Sequence, residues 1–315
     1  MKKVILIPII IGGVLLVAGS AIFAVAISKH SYAKAVTNEY VIEESFNNID
    51  IDVDITDVTF VASQDNSCKV VCQETSKYYH EVKANNDTLY IKSYSSKKWY
   101  DFMSFNVQMK ATVYVPAKEY NDFKLKSSTG DIVIPQGYAF ASYTSEQSTG
   151  KTDVKANVTN AMSVKTSTGN IYLSDVNCNS LKVTASTGNI NISKTEVVEA
   201  INVKTSTGNI KLEDTHCKNF TSSASTGTTS LINSVAQEHI EIKASTGNVK
   251  FDGADAETLD IKTSTGDVKG TLLTTKIFDH HTDTGKVKLP PANTWAGGVC
   301  KIETDTGDIE ISIKA

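Results

Sequence analysis

One tripeptide returns at a nearly constant interval through most of this 315-residue chain. Ser-Thr-Gly occurs eight times and is followed by two copies of Asp-Thr-Gly, at intervals of 19 or 20 residues that lengthen to 22 only at the last step. Such regular spacing is typical of a repeat fold, in which each short unit buries its apolar face against its neighbours. The ten glycines are Gly130, Gly150, Gly169, Gly188, Gly208, Gly227, Gly247, Gly266, Gly285 and Gly307.

Apolar and polar residues alternate on both sides of each glycine. Leu181 and Val183, with Lys182 between them, lie before Gly188, and Ile190 and Ile192 lie after it. This period of two is the pattern of a strand with one buried face, so each repeat contains two strands. A smaller inward position recurs nine residues after the glycine and predicts a third short side, at Ala139, Thr159, Cys178, Val197, Cys217, Ala236 and Ala256.

These patterns predict an all-β fold, a parallel β-solenoid with rungs of 19–20 residues, regular over residues 123–315. The glycine supplies a corner with positive φ, which costs little only for glycine, and the Asn or Asp that usually follows suits hydrogen bonding there. The Thr before each glycine is expected to stack as a ladder of hydroxyls with the inward parity. An outward Thr-x-Thr array of the kind that binds ice is therefore not expected.

The two ends of the repeat array differ. Residues 35–122 lack the tripeptide but contain strand-like runs, and we interpret them as an irregular N-terminal cap or as the first rungs of the solenoid. The last predicted strand covers residues 308–313, and no cap follows it. Because an uncovered strand exposes unpaired backbone groups, this open C-terminal edge is a predicted point of self-association.

Residues 4–27 form one uncharged, mostly apolar run, preceded by Lys2 and Lys3. A helix of this length spans about 36 Å, enough to cross a hydrocarbon core of about 30 Å. We therefore predict an N-terminal transmembrane helix, with residues 1–34 as anchor and short linker. The alternative is a signal peptide cleaved near residues 24–26, which would give a secreted protein. Both interpretations place residues 35–315 outside the cytoplasm.

All 31 basic residues are lysine, because the chain contains no arginine. It therefore lacks the planar guanidinium group that holds phosphate or carboxylate through two bonds. The formal net charge of −4 argues against a nucleic-acid partner. The five cysteines are poorly placed for disulfides: Cys178 and Cys217 lie two repeats apart, and Cys68 and Cys72 share one strand. We interpret them as small buried apolar residues.

The sequence supports no catalytic, cofactor-binding or metal-binding assignment. The richest polar cluster is residues 280–283, where Asp283 is expected to stack on Asp305. Two stacked carboxylates could hold a hard cation such as calcium, but solvated cross-strand pairs are the plainer interpretation. The aromatic segment at residues 97–105 either plugs the solenoid or forms a tip that binds a membrane or a partner.

Lysines also form two partial rows on the predicted outer surface. They either contact anionic wall polymer or lipid headgroups, or they belong to a solvated face. One row contains Lys250, Lys269 and Lys288, and the other contains Lys243 and Lys262.

The repeats STGDI and STGNI, after YVPAKEYNDFKLKSSTGDI and a single apolar N-terminal segment, carry a family resemblance. The chain resembles, over about residues 45–315, a bacterial family of putative adhesins, or β-strand-repeat domains of unknown function. The resemblance implies a membrane-tethered β-solenoid of the cell envelope. It implies no catalytic residues.

We therefore expect a non-enzymatic, single-pass cell-membrane protein that acts as a surface scaffold or adhesin-like binding module, without a cofactor. Its expected partners are the membrane, through residues 4–27, and an envelope polymer, a surface ligand or a protein. Two alternatives remain open. One is a regulatory subunit that senses envelope stress. The other, more remote, is a carbohydrate-active enzyme, which would need paired carboxylates in a groove.

Overall fold

The computed structural model describes residues 35–96, 109–291 and 297–314. These residues form 25 β-strands and no helix, so none of the described segments is a candidate transmembrane helix. The prediction of an all-β solenoid is confirmed. The predicted anchor at residues 4–27 and the aromatic segment at residues 97–105 lie outside the described residues.

The central rungs stack in parallel and in the order of the chain. Val183, for example, pairs with Val164 on one side and Val203 on the other. The strands of this part are β8 Glu119–Thr129, β9 Ile132–Ile134, β10 Ala139–Thr149, β11 Thr152–Val154, β12 Asn157–Thr168, β13 Ile171–Ser174, β14 Asn177–Thr187, β15 Ile190–Thr207, β16 Ile210–Thr226, β17 Thr229–Ile232, β18 Val235–Thr246, β19 Val249–Ala254, β20 Thr258–Thr265 and β21 Val268–Leu272.

A regular rung has three sides around a buried core. A long strand leads to the tripeptide, a short strand follows the glycine, and a third short side follows a second corner, as at Lys194, where φ is 49°. The inward positions of the two predicted strands are buried along the central rungs, which confirms the alternation. On the third side, Ala139 and Thr159 were wrongly assigned inward: Phe140 and Val158 are buried instead, because the preceding turn is one residue longer or shorter there.

The repeat glycines form the first corner. Gly188 has φ 142°, and a Cβ added there would lie 1.9 Å from the carbonyl oxygen of Gly169 in the neighbouring rung. The backbone conformation and the close approach therefore both require glycine. The next residue links the rungs: the amide nitrogen of Asn209 donates to Oδ1 of Asn189 over 2.9 Å. This is the predicted role of the Asn or Asp after the glycine.

The first seven strands form what we call the N-terminal cap. β2 and β3 make a rung that lies between β6 and β7 on one side and β8 and β9 on the other, with parallel pairing throughout. Antiparallel strands then extend the sheet, β4 beside β7, β1 beside β4 and β5 beside β6. The seven strands are β1 Val36–Ile42, β2 Asn48–Ile55, β3 Asp57–Ala62, β4 Cys68–Glu74, β5 Tyr78–Asn85, β6 Thr88–Ser95 and β7 Lys110–Val115.

The last rung in the chain is not the last rung in space. β24 Val299–Thr306 pairs with β20 on one side and with β22 Ile277–Thr284 on the other. β25 Ile309–Ile313 likewise lies between β21 and β23 Val287–Lys288. The prediction that residues 308–313 form an open edge is therefore wrong for Ile309 and Glu310, which pair on both sides, whereas Ile311–Ile313 pair with β21 alone. The outer edge consists of β22, β23 and the end of β25.

The inward side chains give a physical reason for this order. The inserted strands carry Cys300, Ile302, Ile309 and Ile311 inward, all at most 2% exposed. β22 instead places His280 at an inward position, where the outer rung leaves it exposed. An imidazole buried in the core would need a hydrogen-bond partner, so the rung with Ile302 at this position takes the inner place.

A buried ion pair anchors the crossover into β22. Nζ of Lys276 lies 2.8 Å from Oδ1 of Asp255 and donates to the carbonyl oxygen of Gly297 over 2.8 Å. The two side chains are 3% and 9% exposed. The lysine thus joins the end of β19, the start of β22 and the approach to β24, and the repeat pattern did not identify it.

Candidate functional site

The outward side of the long strands is a continuous exposed surface, which we call the Ser-Thr-Lys face. It consists of three columns that run along the solenoid, at one, two and four residues before each repeat glycine. The first column is a threonine ladder in register, formed in spatial order by Thr129, Thr149, Thr168, Thr187, Thr207, Thr226, Thr246, Thr265, Thr306 and Thr284. The second contains Ser128, Ser148, Ser167, Ser186, Ser206, Ser225, Ser245 and Ser264.

The threonine ladder was predicted correctly, but its side was not. Both residues that precede the glycine are exposed, because the alternation of the strand ends at the corner. The last inward residue of the long strand lies three residues before the glycine, as Thr263 does before Gly266. Thr263 is 1% exposed, and its hydroxyl donates to the carbonyl oxygen of Gly247 over 3.2 Å. The exposed columns are thus adjacent Ser and Thr, which still differs from an outward Thr-x-Thr array.

The third column places lysine in alternate rungs as far as Lys243, and Lys262 follows in the next rung. Lys126, Lys165, Lys204 and Lys243 are separated by Glu146, Thr184 and Ser223. At about 4.8 Å per rung, neighbouring lysines lie about 9.6 Å apart along the solenoid. Lys126, Lys165 and Lys204 are exposed, and none has an ion pair within the described ranges.

A shallow groove crosses this face near the N-terminal cap. Charged residues of alternating sign line it, Asp52, Lys126, Glu146 and Lys165, together with serines of the second column. Hydroxyl groups, two ammonium groups and two carboxylates therefore meet in one accessible concavity, and its formal charges cancel.

The two predicted lysine rows have different outcomes. Lys243 and Lys262 stack as predicted. Lys269 and Lys288 do not, because Glu310 of the inserted strand lies between them. Nζ of Lys269 lies 2.9 Å from Oδ2 of Asp267 and 3.1 Å from Oδ2 of Asp308, and Nζ of Lys288 lies 2.8 Å from Oε1 of Glu310. Lys269 and Lys288 are therefore neutralised, while Lys250 stacks on Lys269 as predicted. Lys243 and Lys262 are neutralised as well, by Glu241 and Glu303.

Asp283 and Asp305 lie in adjacent rungs, as predicted, since the flanking threonines pair in register. Oδ1 of Asp283 lies 3.0 Å from Nε2 of His281. This contact joins two residues of the same strand, so it is not the cross-strand pair of the plainer interpretation.

Acidic side chains hold the inserted rung in place through their ionised forms. Hydrogen bonds from Lys301 and Lys262 lower the pKa of Glu303 to about 2. The backbone N–H of Lys286 lowers the pKa of Asp308, and the ammonium group of Lys288 lowers that of Glu310. Because the folded-state pKa values are lowered, this stabilisation is complete above the ordinary glutamate pKa of 4.5 and is lost as the pH falls below it.

We expect the melting temperature to fall between pH 5 and pH 2, and Glu303→Gln to reduce this dependence. Circular dichroism melts over this range measure the effect. The matched control is Glu44→Gln, since Glu44 is exposed in the connection between β1 and β2. It should leave the slope of melting temperature against pH unchanged. Equal slopes for all three proteins would show that the contacts of Glu303 do not stabilise the fold.

The family model Toastrack DUF4097 matches residues 46–199 and again residues 192–315. The chain belongs to this family. The two matches meet within β15, where the rungs continue in register on both sides. The resemblance drawn from the repeats is thus confirmed, and the family is one of unknown function.

Two bacterial proteins with solved structures are similar to this chain. A putative adhesin from Bacteroides fragilis is 17% identical, with a TM-score of 0.43, over 89% of this chain and 97% of that chain. A putative lipid binding protein from Parabacteroides distasonis is 18% identical, with a TM-score of 0.43, over 76% of this chain and 96% of that chain. No curated protein matches the chain.

Proposed function

We propose that the chain is a non-enzymatic, membrane-tethered β-solenoid that acts as a cell-surface scaffold and adhesin-like binding module. In this proposal residues 4–27 anchor it in the cell membrane, and residues 35–315 extend outside the cytoplasm. The Ser-Thr-Lys face is the binding surface.

The observation that carries the proposal is the exposed lysine at alternate rungs beside unbroken columns of Ser and Thr. The positions of the lysines repeat with the fold, and the stacked backbone hydrogen bonds keep the surface rigid. A linear ligand that repeats its anionic groups at a similar distance would gain one contact after another, which multiplies weak single contacts into useful avidity. An anionic envelope polymer, rich in hydroxyl groups, has this chemistry.

Replacing Lys126, Lys165 and Lys204 together with glutamine is expected to weaken polymer binding about tenfold, at about 0.5 kcal/mol for each exposed charge. The measurement is binding of the full-length chain, in detergent, to immobilised acidic polysaccharide and poly(glycerol phosphate). Neutral dextran shows how much binding needs no charge. A higher salt concentration should weaken wild-type binding as well.

The matched control removes three lysines that are engaged in ion pairs elsewhere, Lys151, Lys211 and Lys288. Both triple variants lose three positive charges. Because the control lysines are already paired with carboxylates and lie outside the Ser-Thr-Lys face, the control variant should keep most of the binding. Equal losses in both triple variants would mean that the chain binds through its overall charge and not through this face. If wild type captures neither anionic polymer, the proposed ligand class is wrong.

A further inference from the structure

Three side chains that commonly ligate metals meet inside the N-terminal cap, away from the Ser-Thr-Lys face. One ligand atom from each of Cys72, Glu74 and His80 can be chosen so that all three lie within 4.8 Å of one another. The residues are 0%, 3% and 3% exposed. No other group of three such residues in the described part of the chain has this geometry.

A short turn brings the three residues together. Cys72 and Glu74 lie two apart on β4 and therefore point to the same face of the strand. The chain then reverses between Thr75 and Tyr78, which exchange backbone hydrogen bonds of 2.8 and 3.2 Å. His80 follows on β5, and its ring returns to the carboxylate, with Nδ1 3.0 Å from Oε1 of Glu74.

Neighbouring side chains hold the outer atoms of the cluster. The hydroxyl Oγ1 of Thr56 lies 3.0 Å from Nε2 of His80. Asn38 donates to Oε2 of Glu74, and the hydroxyl of Tyr40 donates to Oε1 and Oε2 over 3.1 and 3.3 Å. The atoms that face one another are the imidazole Nδ1, Oε1 of Glu74 and the thiol of Cys72. Oε1 also accepts the backbone N–H of His80 over 2.7 Å. Outer contacts of this kind orient the ligands of metal sites.

The electrostatics favours a cation at this point. Burial, followed by the negative charge of Glu74, raises the pKa of the Cys72 thiol to about 12. Burial lowers the pKa of His80, so its ring is neutral at neutral pH and able to ligate. A divalent cation would stabilise the thiolate that the buried site otherwise disfavours. A substrate, by contrast, has no path to a fully buried thiol, so a nucleophilic role is the weaker explanation.

We propose that Cys72, Glu74 and His80 bind one divalent cation of the zinc type, through Sγ, a carboxylate oxygen and Nδ1. This mixed sulfur, nitrogen and oxygen set suits Zn²⁺ better than Ca²⁺ or Mg²⁺, which prefer oxygen alone. On binding, the thiol releases one proton to solvent. The neutral ring keeps its proton on Nε2, and this N–H donates a hydrogen bond to Oγ1 of Thr56. The ion ties β4 to β5 and so closes the cap.

The test uses the full-length chain without a histidine tag, purified in detergent under reducing conditions and stripped with a chelator. Titration with Co²⁺ should give one ion per chain and a thiolate-to-cobalt charge-transfer band, which Zn²⁺ then removes. Zn²⁺ should also raise the melting temperature and release one proton from the thiol. Cys72→Ser should abolish the band, and Thr56→Val should weaken Zn²⁺ binding about 10-fold to 100-fold.

Cys217→Ser is the matched control, since Cys217 is a buried free cysteine of the solenoid far from the cluster along the chain. It should keep the band and the stoichiometry. A wild-type chain that binds no Co²⁺ or Zn²⁺ stoichiometrically would overturn the proposal. So would an unchanged band in Cys72→Ser. The wild-type titration decides the matter even if a variant in the cap fails to fold.

Discussion

Gly188→Ala is expected to destabilise the solenoid by about 3 kcal/mol or more. The added Cβ would lie 1.9 Å from the carbonyl oxygen of Gly169, and the backbone φ of 142° is one that alanine rarely adopts. Strain of this kind costs about 1–3 kcal/mol, and a forced shift of packed neighbours costs about 1–3 kcal/mol more. The melting temperature of the full-length variant, followed by circular dichroism, measures the loss.

The damage should also be local. Each rung contacts only its neighbours, so hydrogen exchange should rise most in the rungs beside Gly188 and least at the two ends of the solenoid. Gly297→Ala is the control, because a Cβ at that position meets no heavy atom within 4 Å. If Gly188→Ala melts at the wild-type temperature, the close packing of the corners has been misjudged.

Lys276→Met should cost about 3–5 kcal/mol, because it leaves the carboxylate of Asp255 buried without its cation. The amide nitrogen of Ala256 would remain bonded to Oδ1 of Asp255 over 2.8 Å, but one hydrogen bond does not replace a full charge. Loss of the contact with Gly297 should loosen the approach to β24 as well. Urea denaturation measures the change in the free energy of unfolding.

Lys288→Met provides the comparison, since it also breaks a lysine–carboxylate pair. There the side chains are 79% and 48% exposed, so the expected cost is at most about 1 kcal/mol. The double variant Lys276→Met, Asp255→Leu should recover much of the loss, because it removes the unpaired charge together with its partner. Similar losses for Lys276→Met and Lys288→Met would contradict this account of the buried pair.

Local patterns in the sequence were sufficient to predict the rung. The alternation around each glycine repeats the same constraint ten times, so an error in one repeat is outweighed by the others. The positions that failed, Ala139 and Thr159, lie just after a turn whose length changes by one residue. A change of one residue moves a side chain to the opposite face of its strand.

The order of the last rungs depends on contacts that no single repeat contains. Spacing alone places β24 after β22, and only a comparison of their inward residues, His280 against Ile302, favours the exchange. The same insertion separates Lys269 from Lys288, because it places Glu310 between them. Consecutive stacking would have buried His280 at a position where the inner rungs carry aliphatic residues such as Ile302.

Residues with special surroundings were the hardest to foresee. Glu74 and His80 are unremarkable in the sequence, and they meet only because a turn of two residues reverses the chain between them. Lys276 likewise becomes a buried anchor through a segment that lies outside the repeat pattern. The exposed lysines of alternate rungs, by contrast, follow from the repeat itself once the outward parity is known.

The inserted strands impose an order on assembly during synthesis. Residues 277–288 are made before residues 299–313, yet they can dock on the solenoid only on top of them. The outer rung must therefore wait, or bind in the wrong place and leave again, until the later strands have emerged. Pairing between distant segments is slow, so the final step of folding at this end can begin only after nearly all of the chain has been made.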